Sequence, residues 1–204
     1  MKIMKIVLLA LIVLGALNTQ AQKIKVVDGN LDFLKGQKEI MLEYDYNDMA
    51  VGKFDKEEDY VAKKVAEYNE KDPGSGDEWA ESWVADRKGR FEPKFEELLK
   101  SYTEKADIEF DQSLTDAKYT MILKTTFTEP GFNIGIVRKD AEINVEVIFV
   151  ETANPENKLA VIEMTRVPGR GALGNDYDTG FRIQEAYAKA GKELGSYLYK
   201  KALK

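Results

Sequence analysis

The residue types that the chain lacks limit the chemistry it can perform. It contains no histidine and no cysteine, so a histidine-based triad, a thiol nucleophile and a zinc site built on these ligands are excluded. Carboxylates are plentiful, with 36 aspartates and glutamates, and a pair of them could catalyse glycoside hydrolysis. Sequence separation does not show which carboxylates meet, so we assign no catalytic residue.

Asp176 and Asp178 are candidate cation ligands, because calcium prefers several hard oxygen ligands. Their spacing departs from an EF-hand loop, since Gly180 stands where the third ligand belongs and the distal glutamate is missing. Asp178 is equally suited to cap a following helix, with Asp176 near the positive end of the helix dipole. We favour capping, and we expect the domain to hold no metal and no cofactor.

Three arginines flank the loops at predicted strand ends, namely Arg138, Arg166 and Arg170. Guanidinium groups bind carboxylate or phosphate in a bidentate manner, so these residues could hold an anionic group. Salt bridges with the surplus acids are the simpler use. We keep the three arginines, together with Asp176 and Asp178, as candidate binding residues.

Residues 169–174 read Gly-Arg-Gly-Ala-Leu-Gly and match the G-x-G-x-x-G pattern of dinucleotide-binding folds. That reading requires a helix to begin at the glycines, so that its amides hold the pyrophosphate. Here Asn175-Asp176-Tyr177-Asp178 intervenes and places carboxylates where phosphate would lie. We therefore interpret the glycines as a loop between a strand and a helix.

The amino terminus has the pattern of a secretory signal peptide over residues 1–21. Lys2 and Lys5 precede an apolar stretch at residues 6–17, and Thr19-Gln20-Ala21 supplies small residues before a cut at Gln22. The apolar stretch is shorter than the roughly 20 residues of a spanning helix. We expect export to the periplasm or the cell exterior, with no integral membrane segment after cleavage.

The chain is acidic, with 30 basic and 36 acidic residues and a formal net charge of −6. Removing the signal peptide removes two lysines and makes it more acidic still. An acidic chain without a basic cluster repels nucleic acid and anionic membrane, so we expect no nucleic-acid partner. Residues 22–204 are long enough for a single domain that is stabilised by its core rather than by disulfides.

Three consecutive strands are predicted between Lys118 and Val167, because apolar and polar residues alternate there with a period of two. The predicted links are a longer loop from Glu129 through Arg138 and a short turn at residues 154–157. An earlier strand is predicted at residues 40–46 by the same alternation. One buried face and one wet face favour antiparallel pairing. The positions predicted to share one face are Tyr119, Met121, Leu123, Thr125, Phe127, Ala141, Ile143, Val145, Val147, Phe149, Ala160, Ile162 and Met164.

A helical segment is predicted at about residues 55–104. Asp55 and Glu58 fit a capping box, residues 72–76 and Gly89 are expected to interrupt the segment, and Pro93 suits the first turn of a third helix. Trp79 and Trp83 lie one turn apart and could stack on sugars, but aromatic residues at this spacing favour core packing.

The last predicted helix begins after Asp178 and reaches nearly to Lys204, with an apolar stripe that should cover the sheet. Gly191 and Gly195 lie beside that stripe. Because glycine weakens a helix by about 1 kcal/mol relative to alanine, two glycines so close together indicate that another backbone approaches there. Together these elements predict an α+β domain, with an antiparallel or mixed sheet and helices packed on one face.

Several stretches resemble a family of uncharacterised secreted proteins of Bacteroidetes-type bacteria. They are Phe33-Leu34-Lys35-Gly36, Asp77-Glu78-Trp79-Ala80-Glu81-Ser82-Trp83, Phe91-Glu92-Pro93-Lys94-Phe95 and residues 178–187. The order of elements is also similar in layout to the TolB amino-terminal domain. The resemblance implies no known activity, and a shared fold does not fix function.

The leading functional hypothesis is a non-catalytic, secreted or periplasmic module that binds an unknown protein or envelope component. A carboxylate-dependent hydrolase acting on glycans is the first alternative, and a structural accessory that assembles through a sheet edge is the second. A deep cleft with two facing carboxylates would favour the enzyme. A broad, shallow apolar patch would favour the binding module.

Overall fold

A computed structural model describes residues 22–170 and 177–204 of the chain. The predicted signal peptide, Asp176 and most of the glycine-rich motif lie outside these residues. The strands are β1 Lys23–Gly29, β2 Glu39–Asp45, β3 Ala50–Val51, β4 Glu109–Asp111, β5 Tyr119–Glu129, β6 Phe132–Asn133, β7 Arg138–Lys139, β8 Ala141–Glu151 and β9 Asn154–Gly169. The α-helices are α1 Glu57–Asn69, α2 Ser75–Asp86, α3 Glu92–Thr103 and α4 Thr179–Leu198.

The main sheet is mixed, with strand order β1-β9-β8-β5-β2-β4 and with β3 pairing to β5. β5, β8, β9 and β1 pair antiparallel, as the alternation predicts, with Leu123 opposite Val147 and Val147 opposite Ile162. β2 runs parallel to both β4 and β5. Parallel neighbours need a crossover connection, and the helical segment between β2 and β4 provides it.

The turn between β8 and β9 differs from the prediction. β9 begins at Asn154, so Pro155 lies within the strand and the turn is at residues 152–153. The register shifts twice near Val150, and such bulges admit proline into a strand.

The helical segment begins and continues differently from the prediction. Lys56, not Asp55, precedes α1, and its side chain makes no capping hydrogen bond, so the predicted capping box is wrong. Gly89 does not interrupt the chain either, because a π-helical turn at Arg87–Phe91 joins α2 directly to α3. The wider turn accommodates the glycine without a break.

Helices cover the buried face of the sheet, and α4 lies against β8, β9 and α3. Its stripe is buried as predicted, including Ile183, Ala186, Ala190, Leu194 and Leu198. The tryptophans agree with the core interpretation. Trp83 is buried, and its ring stacks on that of half-buried Trp79 with centroids 5.6 Å apart. Among the described residues, no helix is both long and apolar enough to cross a membrane.

Candidate interaction site

The loop between β5 and β8 forms a small hairpin of its own at residues 132–139, hereafter the apolar hairpin. Phe132 pairs with Lys139 and Asn133 with Arg138. At its tip the Ile134 amide donates to the Val137 carbonyl at 3.1 Å. The tip is therefore ordered by its own hydrogen bonds.

Large apolar side chains project from the apolar hairpin into solvent. The exposed fractions are 43% for Phe132, 68% for Ile134, 94% for Ile136 and 52% for Val137. A contiguous exposed apolar patch on a soluble domain commonly marks an interaction site. Tyr177, with 66% exposure, precedes α4, the helix that anchors the hairpin.

Arg182 holds the base of the apolar hairpin against α4. Its side chain is only 4% exposed. The guanidinium donates to the carbonyls of Pro130 and Gly131, each at 3.2 Å, and to Thr179 Oγ1 at 2.9 Å. Gly131 has a φ of 62°, and a Cβ there would lie 2.4 Å from the Lys139 carbonyl oxygen. The hairpin thus leaves the sheet through a glycine turn that a buried cation fixes.

Two of the three candidate arginines meet at the base of the apolar hairpin. Arg170 Nε lies 2.9 Å from Asp140 Oδ2, and Arg138 Nη2 lies 3.9 Å from Asp140 Oδ1. They are brought together because Ala141 pairs with Gly169 across β8 and β9. Beside them, Lys139 forms an ion pair with Glu129.

Arg166 is not part of this group. It occupies a bulge of β9 with a φ of 57°, and its amide donates to Asn144 Oδ1 at 2.8 Å. Its positive charge lowers the pKa of Glu142, but burial outweighs it and leaves that pKa above its usual value.

Asp178 caps α4, as the sequence predicts, since its Oδ1 accepts the Phe181 amide at 2.9 Å. Both of its carboxylate oxygens also accept from Arg90 Nη1 at 3.1 Å. Desolvation acts in the opposite direction, but the amide of Phe181 and the Arg90 guanidinium keep the pKa of Asp178 below its usual value. Asp176 lies outside the described residues, so a calcium site that includes it stays an untested alternative.

Polar side chains also meet between the sheet and α3, from buried Glu92 to exposed Gln112. Glu92 is 5% exposed. It accepts hydrogen bonds from Tyr46 and from Gln112, each at 3.4 Å, while Glu96 accepts from Gln112 at 2.8 Å and from Tyr44 at 3.1 Å. Burial raises the pKa of Glu92. The two carboxylates therefore share one amide, that of Gln112.

A second buried cluster adjoins this network. Glu57 accepts hydrogen bonds from Trp83 Nε1 and from Arg87, whose guanidinium lies 4.4 Å from the centre of the Tyr46 ring. The Tyr187 hydroxyl, 2.6 Å from Thr125 Oγ1, completes the lining. The cavity between these residues has a volume of about 10 Å³, which is about the space of one water molecule. A sugar ring does not fit there.

The apolar hairpin and Arg182 were not found by sequence reasoning. The region was predicted as a loop, although connecting segments are normally polar. The signal that could have revealed it is the run Phe132-Asn133-Ile134-Gly135-Ile136-Val137, in which four large apolar residues fall between turn-forming residues.

Comparisons with known proteins give distant structural likeness. No protein-family model and no curated protein matches the chain. Among solved structures, it is similar to a PelC dodecamer from Paraburkholderia phytofirmans, with 10% identity, a TM-score of 0.42, and coverage of 90% of this chain and 100% of that one. A PelC variant from the same organism gives 9% identity, a TM-score of 0.36, and coverage of 84% and 99%. At these values the likeness carries nothing about function.

Proposed function

We propose that the protein is an exported, non-catalytic binding module of the cell envelope, with the apolar hairpin as its contact element. The observation that supports this most directly is the 94% exposure of Ile136 at an ordered tip. Leaving large aliphatic side chains in water is unfavourable by roughly 25 cal/mol per Å². A tip that is held by hydrogen bonds, apolar and exposed is suited to being covered by a partner.

The positions of Glu92 and Glu96 do not suit a glycosidase site. A glycosidase needs two carboxyl groups roughly 5–10 Å apart on either side of an open substrate site. Glu92 and Glu96 both accept a hydrogen bond from the amide of Gln112, and the neighbouring cavity is of water size. Glu92 and Glu96 are therefore not arranged for glycan hydrolysis.

The sheet edge is a weaker candidate for assembly. β1 ends the sheet, but it carries exposed Lys23 and Lys25 and a register shift between Val26 and Asp28. Edge lysines and bulges oppose the addition of another strand. We therefore place the contact on the apolar hairpin.

Binding of the purified mature protein to envelope fractions of its native cells tests the proposal. We expect the variant Ile134→Ser/Ile136→Ser/Val137→Ser to bind at least about tenfold more weakly, since three aliphatic side chains lose their burial. The control Val27→Ser/Val84→Ser alters exposed apolar residues elsewhere and should bind like the wild type. Equal binding by both variants would overturn the proposal.

Export is part of the same proposal and has a separate test. The pattern of residues 1–21 predicts that the mature chain begins at Gln22. Intact-mass measurement of protein isolated from native cells should give the mass of residues 22–204. A full-length chain held in the inner membrane would contradict export by cleavage.

A further inference from the structure

We propose that the apolar hairpin inserts its tip into the interface of a phospholipid bilayer with uncharged, zwitterionic headgroups. This inference rests on the proposed function and names the partner of the same site.

The distribution of apolar side chains around the tip favours lipid over a protein groove. Ile136 and Val137 are adjacent in sequence, and both are more than half exposed. Ile134, before the turn at Gly135, is 68% exposed as well, so a partner must cover apolar side chains on both arms of the tip. A bilayer surrounds an inserted tip and covers both.

Part of the backbone of the tip already has hydrogen-bond partners within the hairpin. The amide of Ile134 donates to Val137 O at 3.1 Å, that of Gly135 to Asn133 Oδ1 at 2.8 Å, and that of Ile136 to Ile134 O at 3.1 Å. In lipid, each polar group of the backbone needs a partner within the protein. Three consecutive amides at the tip already have one.

Charged residues at the base of the apolar hairpin would set the depth of insertion. Arg138 and Lys139 directly follow Val137, and basic side chains next to an apolar segment extend to the headgroup level. From Phe132 to the turn, the hairpin spans three residues, or roughly 10 Å at the rise of a strand. That length suits the interfacial layer, which amphipathic segments enter by about 5–10 Å.

The local charge permits contact with headgroups although the whole chain is acidic. At the base, Arg138, Lys139 and Arg170 are paired with two carboxylates, Asp140 and Glu129. This cluster is therefore not negative, whereas the chain carries a net charge of −6. Repulsion from distant acids is screened over about 8 Å at physiological ionic strength. Apolar insertion into zwitterionic lipid fits this balance better than adsorption to anionic lipid.

Vesicle binding with a single fluorescent label tests the inference. The chain has no cysteine, so Ile136→Cys gives a unique attachment site for an environment-sensitive nitrobenzoxadiazole dye. With phosphatidylcholine vesicles we expect a blue shift of emission and quenching by lipids spin-labelled near the headgroup. The same dye on Val84→Cys, an exposed position of α2, should show neither.

Co-sedimentation of the unlabelled mature protein completes the test. We expect the triple serine variant to bind phosphatidylcholine vesicles at least about tenfold more weakly than the wild type, and phosphatidylglycerol to leave wild-type binding unchanged or weaker. Binding to anionic vesicles alone would indicate adsorption by the basic side chains and would overturn the inference.

If native envelopes bind in a hairpin-dependent manner but protein-free vesicles do not, the proposed function stands and the partner is a protein. If the protein self-associates through the apolar hairpin and does not bind vesicles, the partner of the hairpin is a second copy of this chain. That result would likewise overturn insertion into lipid.

Discussion

The main chain at Gly191 lies against the Phe95 carbonyl so closely that a Cβ on Gly191 would be 2.2 Å from that oxygen. One turn later, a Cβ on Gly195 would be 2.7 Å from Tyr102 Cβ and 2.9 Å from Leu99 O. α3 and α4 therefore pack with their backbones in near contact. The predicted close approach is confirmed, and the partner is another helix.

We expect Gly191→Ala to destabilise the domain by about 1–3 kcal/mol, the usual cost of overpacking, although alanine is the better helix former. Gly89→Ala is the matched control, because nothing lies within 4 Å of the position where its Cβ would be. It should be neutral or stabilising by up to about 1 kcal/mol. Urea unfolding measures both, and a stabilised Gly191→Ala would show that α3 and α4 are not in this contact.

Leu194 tests whether α4 closes the core. It is completely buried, so Leu194→Ala should lower the free energy of unfolding by about 2–5 kcal/mol. Lys192 lies on the exposed side of the same helix, and Lys192→Ala should change it by less than about 0.5 kcal/mol. If Leu194→Ala leaves the free energy of unfolding unchanged in a urea melt, α4 does not close the core.

The elements that the sequence predicts well are those whose pattern is local. Alternation marks β5 and β8 because one face of each is buried, and the apolar stripe marks α4 because it lies along that face. The parallel pairing of Leu42 with Met121 leaves no local pattern, since it depends on a crossover connection through residues 46–118. Gly89 misleads for a similar reason, because buried residues before and after it in the chain, Trp83 and Phe91, hold the helical segments in place.

The candidate site was predictable only in part. The sequence indicates Arg138 and Arg170 as cations near strand ends, but the register of β8 on β9 is what unites them at Asp140. Arg182 could not be distinguished from a surface arginine. Its neighbours on α4 give no sign that its guanidinium donates to the carbonyls of Pro130 and Gly131, which are distant in sequence.

Arg182 should couple the apolar hairpin to the core. Arg182→Met removes the donors to Pro130 O and Gly131 O, and leaving buried acceptors unpaired costs about 1–3 kcal/mol. Hydrogen exchange of the amides at residues 132–139 should accelerate more than exchange in β8. Arg170→Gln, at an ion pair whose arginine side chain is 77% exposed, should cost no more than about 1 kcal/mol. Unchanged exchange in the hairpin of Arg182→Met would contradict the anchoring role.

Asp178 should stabilise the domain through its cap and through Arg90. Asp178→Ala removes both and should cost about 0.5–2 kcal/mol, whereas Asp178→Asn keeps a capping oxygen and should cost less. Because the folded-state pKa of Asp178 lies below its usual value of 3.8, the contribution of its charge is present above pH 3.8 and is lost as the pH falls through the folded pKa. Urea melts across this range should show wild type and Asp178→Asn converging in acid. If the difference in unfolding free energy between wild type and Asp178→Asn does not change with pH, the stabilisation by Asp178 comes from packing and not from its charge.

Glu92 should have the opposite pH dependence. Burial is the main reason that its folded-state pKa lies above the ordinary value of 4.5, so folding favours the protonated form. Its contribution to stability is then complete below pH 4.5 and is lost as the pH rises through the folded pKa.

We therefore expect Glu92→Gln, which keeps an acceptor oxygen for Tyr46, to be more stable than the wild type near pH 7 and equal to it near pH 4. Glu97→Gln is the control on the same helix, because the Glu97 side chain is 62% exposed and its removal from a surface ion pair should change stability by no more than about 1 kcal/mol. Urea unfolding of the three proteins at both pH values measures the difference. A loss of stability near pH 7 in Glu92→Gln would mean that the network of Tyr46 and Gln112 requires the ionised carboxylate.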